Sequence, residues 1–155
     1  MLFLYFSILM FFNLFQKNEL NNKIGYEDVL YAIENNTNHF LINTLDMNLQ
    51  TCLIKSTLSA ENETSILNQV IDKTQFKEII IIVYGCNSSD ISVDTKYKQL
   101  IELGFTNVYI YSGGMFEWLL LQDIYGQDNF PTTTSDLDIL KYKPRSKLNI
   151  PLLKL

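Results

Sequence analysis

The sequence predicts an α/β domain built on a parallel sheet, and three observations carry that expectation. Ile79-Ile80-Ile81-Ile82-Val83-Tyr84 is a continuous, largely β-branched run closed by Gly85, the pattern of a central strand buried on both faces. Val108–Tyr111 is a second short apolar run. Segments with apolar residues at helical spacing lie before, between and after these runs. Strands that alternate with helices imply βαβ units joined by right-handed crossovers.

The elements follow in chain order. Met1–Phe15 is apolar except for Ser7 and Asn13. It falls short of the ~18–20 residues that span a bilayer. No basic stretch precedes it and no small-residue cleavage site follows. It reads as a weak membrane anchor, as a segment docked on the domain, or, if Met10 is the true start, as an ordinary lead-in. Tyr26, Val29, Leu30 and Ile33 predict a first helix. Phe40-Leu41-Ile42 fits a buried strand, and Leu53–Leu58 a further one. Ser59 or Asn62 can cap a helix through Ile66, Leu67, Val70 and Ile71. After the Ile79–Tyr84 strand, a helix carries Tyr97, Leu100, Ile101 and Leu103 and stops at Gly104. Met115–Tyr125 is apolar nearly all round, which predicts a buried helix. From Phe130-Pro131 through Pro144 and Pro151 periodicity is weak, and this tail reads as a surface wrap. The organisation is therefore a lead-in over 1–23, a domain over 24–126 and an extension over 127–155.

Composition narrows the function classes. A chain of 155 residues with 47% hydrophobic and 19% charged residues can bury one substantial core, which argues against disorder. A net charge of −5 argues against a nucleic-acid partner, which would need a basic stripe against phosphates. The basic residues are scattered except for Lys141, Lys143, Arg145 and Lys147. Two cysteines, Cys52 and Cys86, are too few for a disulfide scaffold and point to a reducing, cytoplasmic setting. The sequons at Asn35, Asn62 and Asn87 are expected by chance in an Asn-rich chain.

Parallel sheets bind ligands outside the carboxyl ends of their strands. That places the candidate site at Gly85-Cys86-Asn87-Ser88-Ser89-Asp90, between a strand end and a helix N-terminus. Thiolate chemistry is most easily set up in such a position.

Strand, short loop, helix, Leu100-Ile101-Glu102-Leu103-Gly104-Phe105, strand and Gly113-Gly114-Met115-Phe116-Glu117-Trp118 follow one another in an order that resembles the second half of the rhodanese-like domain family. The resemblance covers roughly residues 24–126. It implies a single rhodanese-like domain with helices on both faces of the sheet and, where members are sulfurtransferases, a persulfide carried on a loop cysteine. The polar landmarks differ. Leu41-Ile42-Asn43-Thr44-Leu45 stands where the family usually ends an apolar run in Asp-x-Arg. Leu53-Ile54-Lys55-Ser56-Thr57 stands where it usually has His-Ile-x-Gly-Ala. Against the active loop Cys-x-x-Gly-x-Arg, Ser89 replaces Gly and Ile91 replaces Arg. Counting from the strand end puts Gly85 on the cysteine position instead, and counting back from Gly104-Phe105 puts Asn87 there.

A persulfide carrier needs a thiolate, loop N–H groups and a cation for an anionic donor. Between Glu78 and Lys96 there is no Lys, Arg or His, while Asp90 and Asp94 fall at the helix start. At ~6 Å and an effective dielectric of ~20, a carboxylate and a thiolate repel by roughly 3 kcal/mol, which raises a thiol pKa. Asp90 reads as a helix cap, and Cys86 as an inert residue beside a strand end in preference to a persulfide carrier. The longer phosphatase loop, Cys-x-x-x-x-x-Arg, would end on Ser92, which excludes that chemistry. Cys52 and Trp118 read as core, Tyr109 and Tyr111 as packing on one strand face, and Gly113-Gly114 as a turn that lets the last helix pack closely. His39 lacks a partner cluster for metal binding or base catalysis. The sequence implies no cofactor and no metal. It favours a non-catalytic domain binding a protein or small anion through the loop Gly85, Cys86, Asn87, Ser88, Ser89 and Asp90. The alternative is a weak sulfurtransferase of the thiosulfate type with Cys86 as the sulfur carrier.

Overall fold

Four strands, β1 (Lys23–Ile24), β2 (His39–Asn43), β3 (Ile80–Tyr84) and β4 (Val108–Tyr111), form one sheet in the order β1-β4-β3-β2. Every pairing is parallel. This is the architecture of a computed structural model that describes residues 22–148. The proposed anchor Met1–Phe15 and the alternative start at Met10 lie outside the described residues. Among the described residues, no helix is long and apolar enough to cross a membrane.

The helices are α1 (Tyr26–Glu34), α2 (Ala60–Asp72), α3 (Ile91–Glu102) and α4 (Gly114–Tyr125). Alternation along β3 assigns them to faces, because successive strand side chains point to opposite sides. Ile82 and Tyr84 pack with Val29 and Ala32 of α1 and with Met115, Trp118 and Leu119 of α4. Ile81 and Val83 pack with Leu67 and Val70 of α2 and with Val93 and Leu100 of α3. The central strand is thus buried on both faces, and helices cover each one.

Local signals explain the boundaries. Ser59 caps α2, its side chain accepting the Asn62 N–H. Helix α3 ends at Glu102 with Leu103 as its C-cap, and Gly104 leaves it at a φ of 99°. His39 opens β2, buried, with Nδ1 2.9 Å from the Asn35 carbonyl and its ring edge-on to Tyr31. Cys52 is core and its thiol donates to the Thr134 carbonyl. Trp118 is fully buried and donates to the Pro131 carbonyl at 3.3 Å.

Two expectations change. Leu53–Leu58 is not a sheet strand. Leu53–Lys55 pairs instead with the tail: Lys55 donates to the Pro131 carbonyl, Thr133 to the Leu53 carbonyl, and Ile54 faces Thr132 in antiparallel bridging. The chain then turns at Ser56, where φ is 68°, and Leu58 donates to the Leu41 carbonyl of β2. Tyr84 stabilises this turn, accepting the Ile54 N–H at 3.2 Å and lying 2.8 Å from the Thr57 hydroxyl. Helix α4 is not buried all round either. Leu120, Ile124 and Tyr125 are 41%, 69% and 60% exposed, so its Met115-Trp118-Leu119 stripe forms the buried face, with Phe116 and Leu121 packed partly against the core.

Candidate functional site

Strand β3 runs out at Tyr84 and delivers the loop Gly85–Asp90 to the carboxyl edge of the sheet, with α3 starting at Ile91. Asp90 organises this loop. One carboxylate oxygen accepts the Cys86 N–H at 2.9 Å. The other accepts the Ser92 N–H at 3.1 Å and the Ser92 hydroxyl at 2.6 Å, which caps α3. The Ser92 oxygen also lies 2.7 Å from the Thr44 hydroxyl, tying the loop to the end of β2. The Asn87 side chain accepts the Ser89 N–H, and the Asn87 carbonyl accepts the Asp90 N–H. The Cys86, Ser89, Asp90 and Ser92 N–H groups are therefore taken up by the loop's own Asp90 and Asn87.

Two glycines permit this geometry. A Cβ on Gly85 would collide with Asp90 Oδ2 and lie 2.7 Å from a Val93 methyl, so glycine is what lets the carboxylate fold back under the loop. Gly114 has a φ of 60°, and a Cβ there would meet the Gly85 carbonyl and lie 2.9 Å from the Asn87 nitrogen. Met115 and Phe116 donate to the Gly85 and Cys86 carbonyls at 3.0 and 2.9 Å. Gly113-Gly114 is thus a turn that seats α4 directly against the loop backbone.

Cys86 is half-buried, packed against the core cluster of Tyr84 and Trp118 on one side and bordering a groove on the other. Its thiol is pushed up to about 11, chiefly by burial, with the carboxylates of Asp90 and Asp46 adding to the effect and Arg145 opposing it. Charge repulsion has the direction the sequence implied, but desolvation dominates it.

The groove, of about 530 Å³, is lined by Thr44, Cys86, Asn87, Ser89, Asp90 and Ser92, with Leu49 and Ile91 as its apolar parts. Of the predicted loop residues, Cys86, Asn87, Ser89 and Asp90 come together here; Gly85 is buried behind them, and Ser88 is exposed and faces a second hollow beside Phe116 and Pro144. The opposite wall is the unforeseen part: Lys141, Lys143, Arg145 and Lys147 line the same groove. The loop itself supplies no cation, yet the site has four. They arrive through Tyr142, fully buried, whose carbonyl accepts the Asn87 side-chain N–H at 2.7 Å and whose hydroxyl lies 3.1 Å from Asp136. The signal was present as the alternation Lys-Tyr-Lys-Pro-Arg-Ser-Lys over 141–147, which places every cation on one parity.

Among the described residues, no cluster of three His, Cys, Asp or Glu side chains could hold a metal ion. The model of the Rhodanese-like domain family matches residues 48–121, from the 3₁₀ turn after β2 to the middle of α4. No curated protein matches the sequence. Among solved structures, a full-length protein from Lactobacillus plantarum is 18% identical with a TM-score of 0.54, over 77% of this chain and 93% of that one. A protein from Bacillus halodurans is also 18% identical, with a TM-score of 0.52 over 72% of this chain and 78% of that one. Identity at that level speaks to fold alone, and the fold agrees with the family match. Over residues 48–121 the chain is thus similar to the rhodanese-like domain family, and its fold agrees with that likeness.

Proposed function

We propose that this rhodanese-like domain is a non-catalytic binding or regulatory domain whose ligand, a protein segment or a small anion, occupies the Cys86 groove. The observation that carries this reading is the Asp90 carboxylate. It accepts the Cys86 and Ser92 N–H groups, so it fills with protein the place where a strand-end loop would hold a substrate anion. With its thiol at about 11, Cys86 is almost wholly protonated near neutrality, and the thiolate is the form that attacks sulfur. Its cysteine usage supports a cytoplasmic setting, where thiols stay reduced.

Arg145 favours a second reading, a weak sulfurtransferase. Its guanidinium lowers the Cys86 pKa and could receive an anionic donor. In that reading the Cys86 thiolate takes the outer sulfur of thiosulfate, sulfite leaves, and cyanide removes the sulfur as thiocyanate. The thiosulfate–cyanide assay on the full chain and on Cys86→Ser separates the two. The expected result is equal background turnover for both and no mass gain of one sulfur atom after thiosulfate treatment. Turnover or a sulfur adduct that depends on Cys86 would overturn the non-catalytic reading.

A further inference from the structure

Four of the 12 basic residues of a chain with net charge −5 line one groove. This is charge segregation that a dispersed surface would not produce, and it focuses attraction for anions at one place. Its construction is specific. Tyr142 is buried with its hydroxyl against Asp136, while Pro144 faces the separate hollow beside Phe116 and Glu117. Tyr142 thus anchors the segment, and the odd positions 141, 143, 145 and 147 line the groove. Lys143 is extended (φ −61°, ψ 154°), as a residue before proline must be. Extended chain spaces alternate side chains by about 6.6 Å, so Lys143, Arg145 and Lys147 would span about 13 Å. Lys141 is held by Asp136, whereas the other three form no ion pair with described residues.

We propose that residues 141–147 form a cationic rail that holds an extended acidic segment of a partner protein along the Cys86 groove; this deepens the binding reading given above and rests on it. A span of three spaced cations is longer than one tetrahedral oxoanion needs, whereas carboxylates at alternate positions of an extended peptide repeat at the same spacing as the rail. The rest of the lining suits a peptide better than a nucleic acid. The groove presents no aromatic face on which bases could stack. It does offer hydroxyls and an amide for a peptide backbone (Thr44, Ser89 and Asn87), with apolar Ile91, 80% exposed, at the rim.

Fluorescence anisotropy on the full chain tests this with a fluorescein-labelled peptide of alternating aspartate and serine, against an all-serine peptide of equal length. Saturable binding of the aspartate peptide alone is expected, weakening as salt rises. Combined Lys143→Glu and Arg145→Glu should weaken it at least about tenfold. Both side chains are exposed, so circular dichroism should show an unchanged fold. Lys77→Glu, an exposed cation elsewhere, should change binding less than about twofold. Three results would overturn the rail: equal binding by the double variant, tighter binding of a single-stranded oligonucleotide, or full displacement of the peptide by millimolar thiosulfate or phosphate. Sulfur transfer dependent on Cys86 would instead strike the non-catalytic reading and leave a positive peptide result standing.

Discussion

Asp90 does two jobs with one carboxylate: it caps α3 through Ser92 and holds the Cys86 N–H. Both were latent in the sequence as an acidic residue before a helix, but only the first could be read there. The second depends on Gly85 leaving room for the carboxylate to fold back. A thiol at about 11 is ionised in roughly one molecule in a thousand at pH 8, so Cys86 should be alkylated by iodoacetamide far more slowly than a free cysteine. Asp90→Asn removes a like charge that raises the pKa, so the thiolate fraction rises and alkylation at pH 8 should accelerate several-fold. Mass spectrometry against time measures this, with Cys52, buried in the core, as the slow internal reference. An unchanged rate would mean that burial alone suppresses the thiol.

The junction between α4 and the loop makes a sharper demand at the level of elements. Gly114→Ala must place a side chain at a φ of 60° and against the Gly85 carbonyl. Left-handed backbone and overlap together should destabilise the fold by about 2–4 kcal/mol in urea denaturation. A loss below about 1 kcal/mol would contradict the close approach. Strands β3 and β4 and helix α3 were legible because their signals are local: β-branched runs, helical spacing and Gly104. Leu53–Lys55 was only half legible. Its residues suit a strand, but its partner is Pro131–Thr133, and no local pattern can name a partner that far along the chain. Periodicity likewise misjudged α4, because an apolar helix need not be covered on every side. Likewise, the loop could be located from the sequence while its cations could not. They approach from 55 residues away, and only the burial of Tyr142 brings them there.

Across the whole molecule, three buried tyrosines set a limit in alkali. Tyr84, Tyr111 and Tyr142 are each at most 1% exposed, and burial pushes all three well above the ordinary tyrosine value of about 10. Asp136 beside the Tyr142 hydroxyl adds to the effect, and hydrogen bonds from Thr57 and Ile54 partly offset it at Tyr84. In the unfolded chain these phenols ionise near pH 10, while in the fold they hold their protons. Their contribution is therefore complete below pH ~10 and lost as pH rises beyond it, by up to about 1.4 kcal/mol per pH unit for each tyrosine. Urea midpoints should be flat from pH 7 to 9 and fall steeply between pH 10 and 11.5, with phenolate absorbance at 295 nm appearing together with unfolding. Phenolate absorbance that precedes the loss of circular dichroism would show that these rings are open to water.

The pairing of Leu53–Lys55 with Pro131–Thr133 has a practical consequence for anyone cutting this gene. The family match stops at residue 121. A fragment trimmed there would strip Phe130 from the ring of Trp118, which it meets at 5.2 Å, and leave a three-residue ribbon without its other half. It would also delete one wall of the groove. Such a fragment should be prone to aggregation and blind to any acidic ligand, and a silent result from it would describe the scissors rather than the protein.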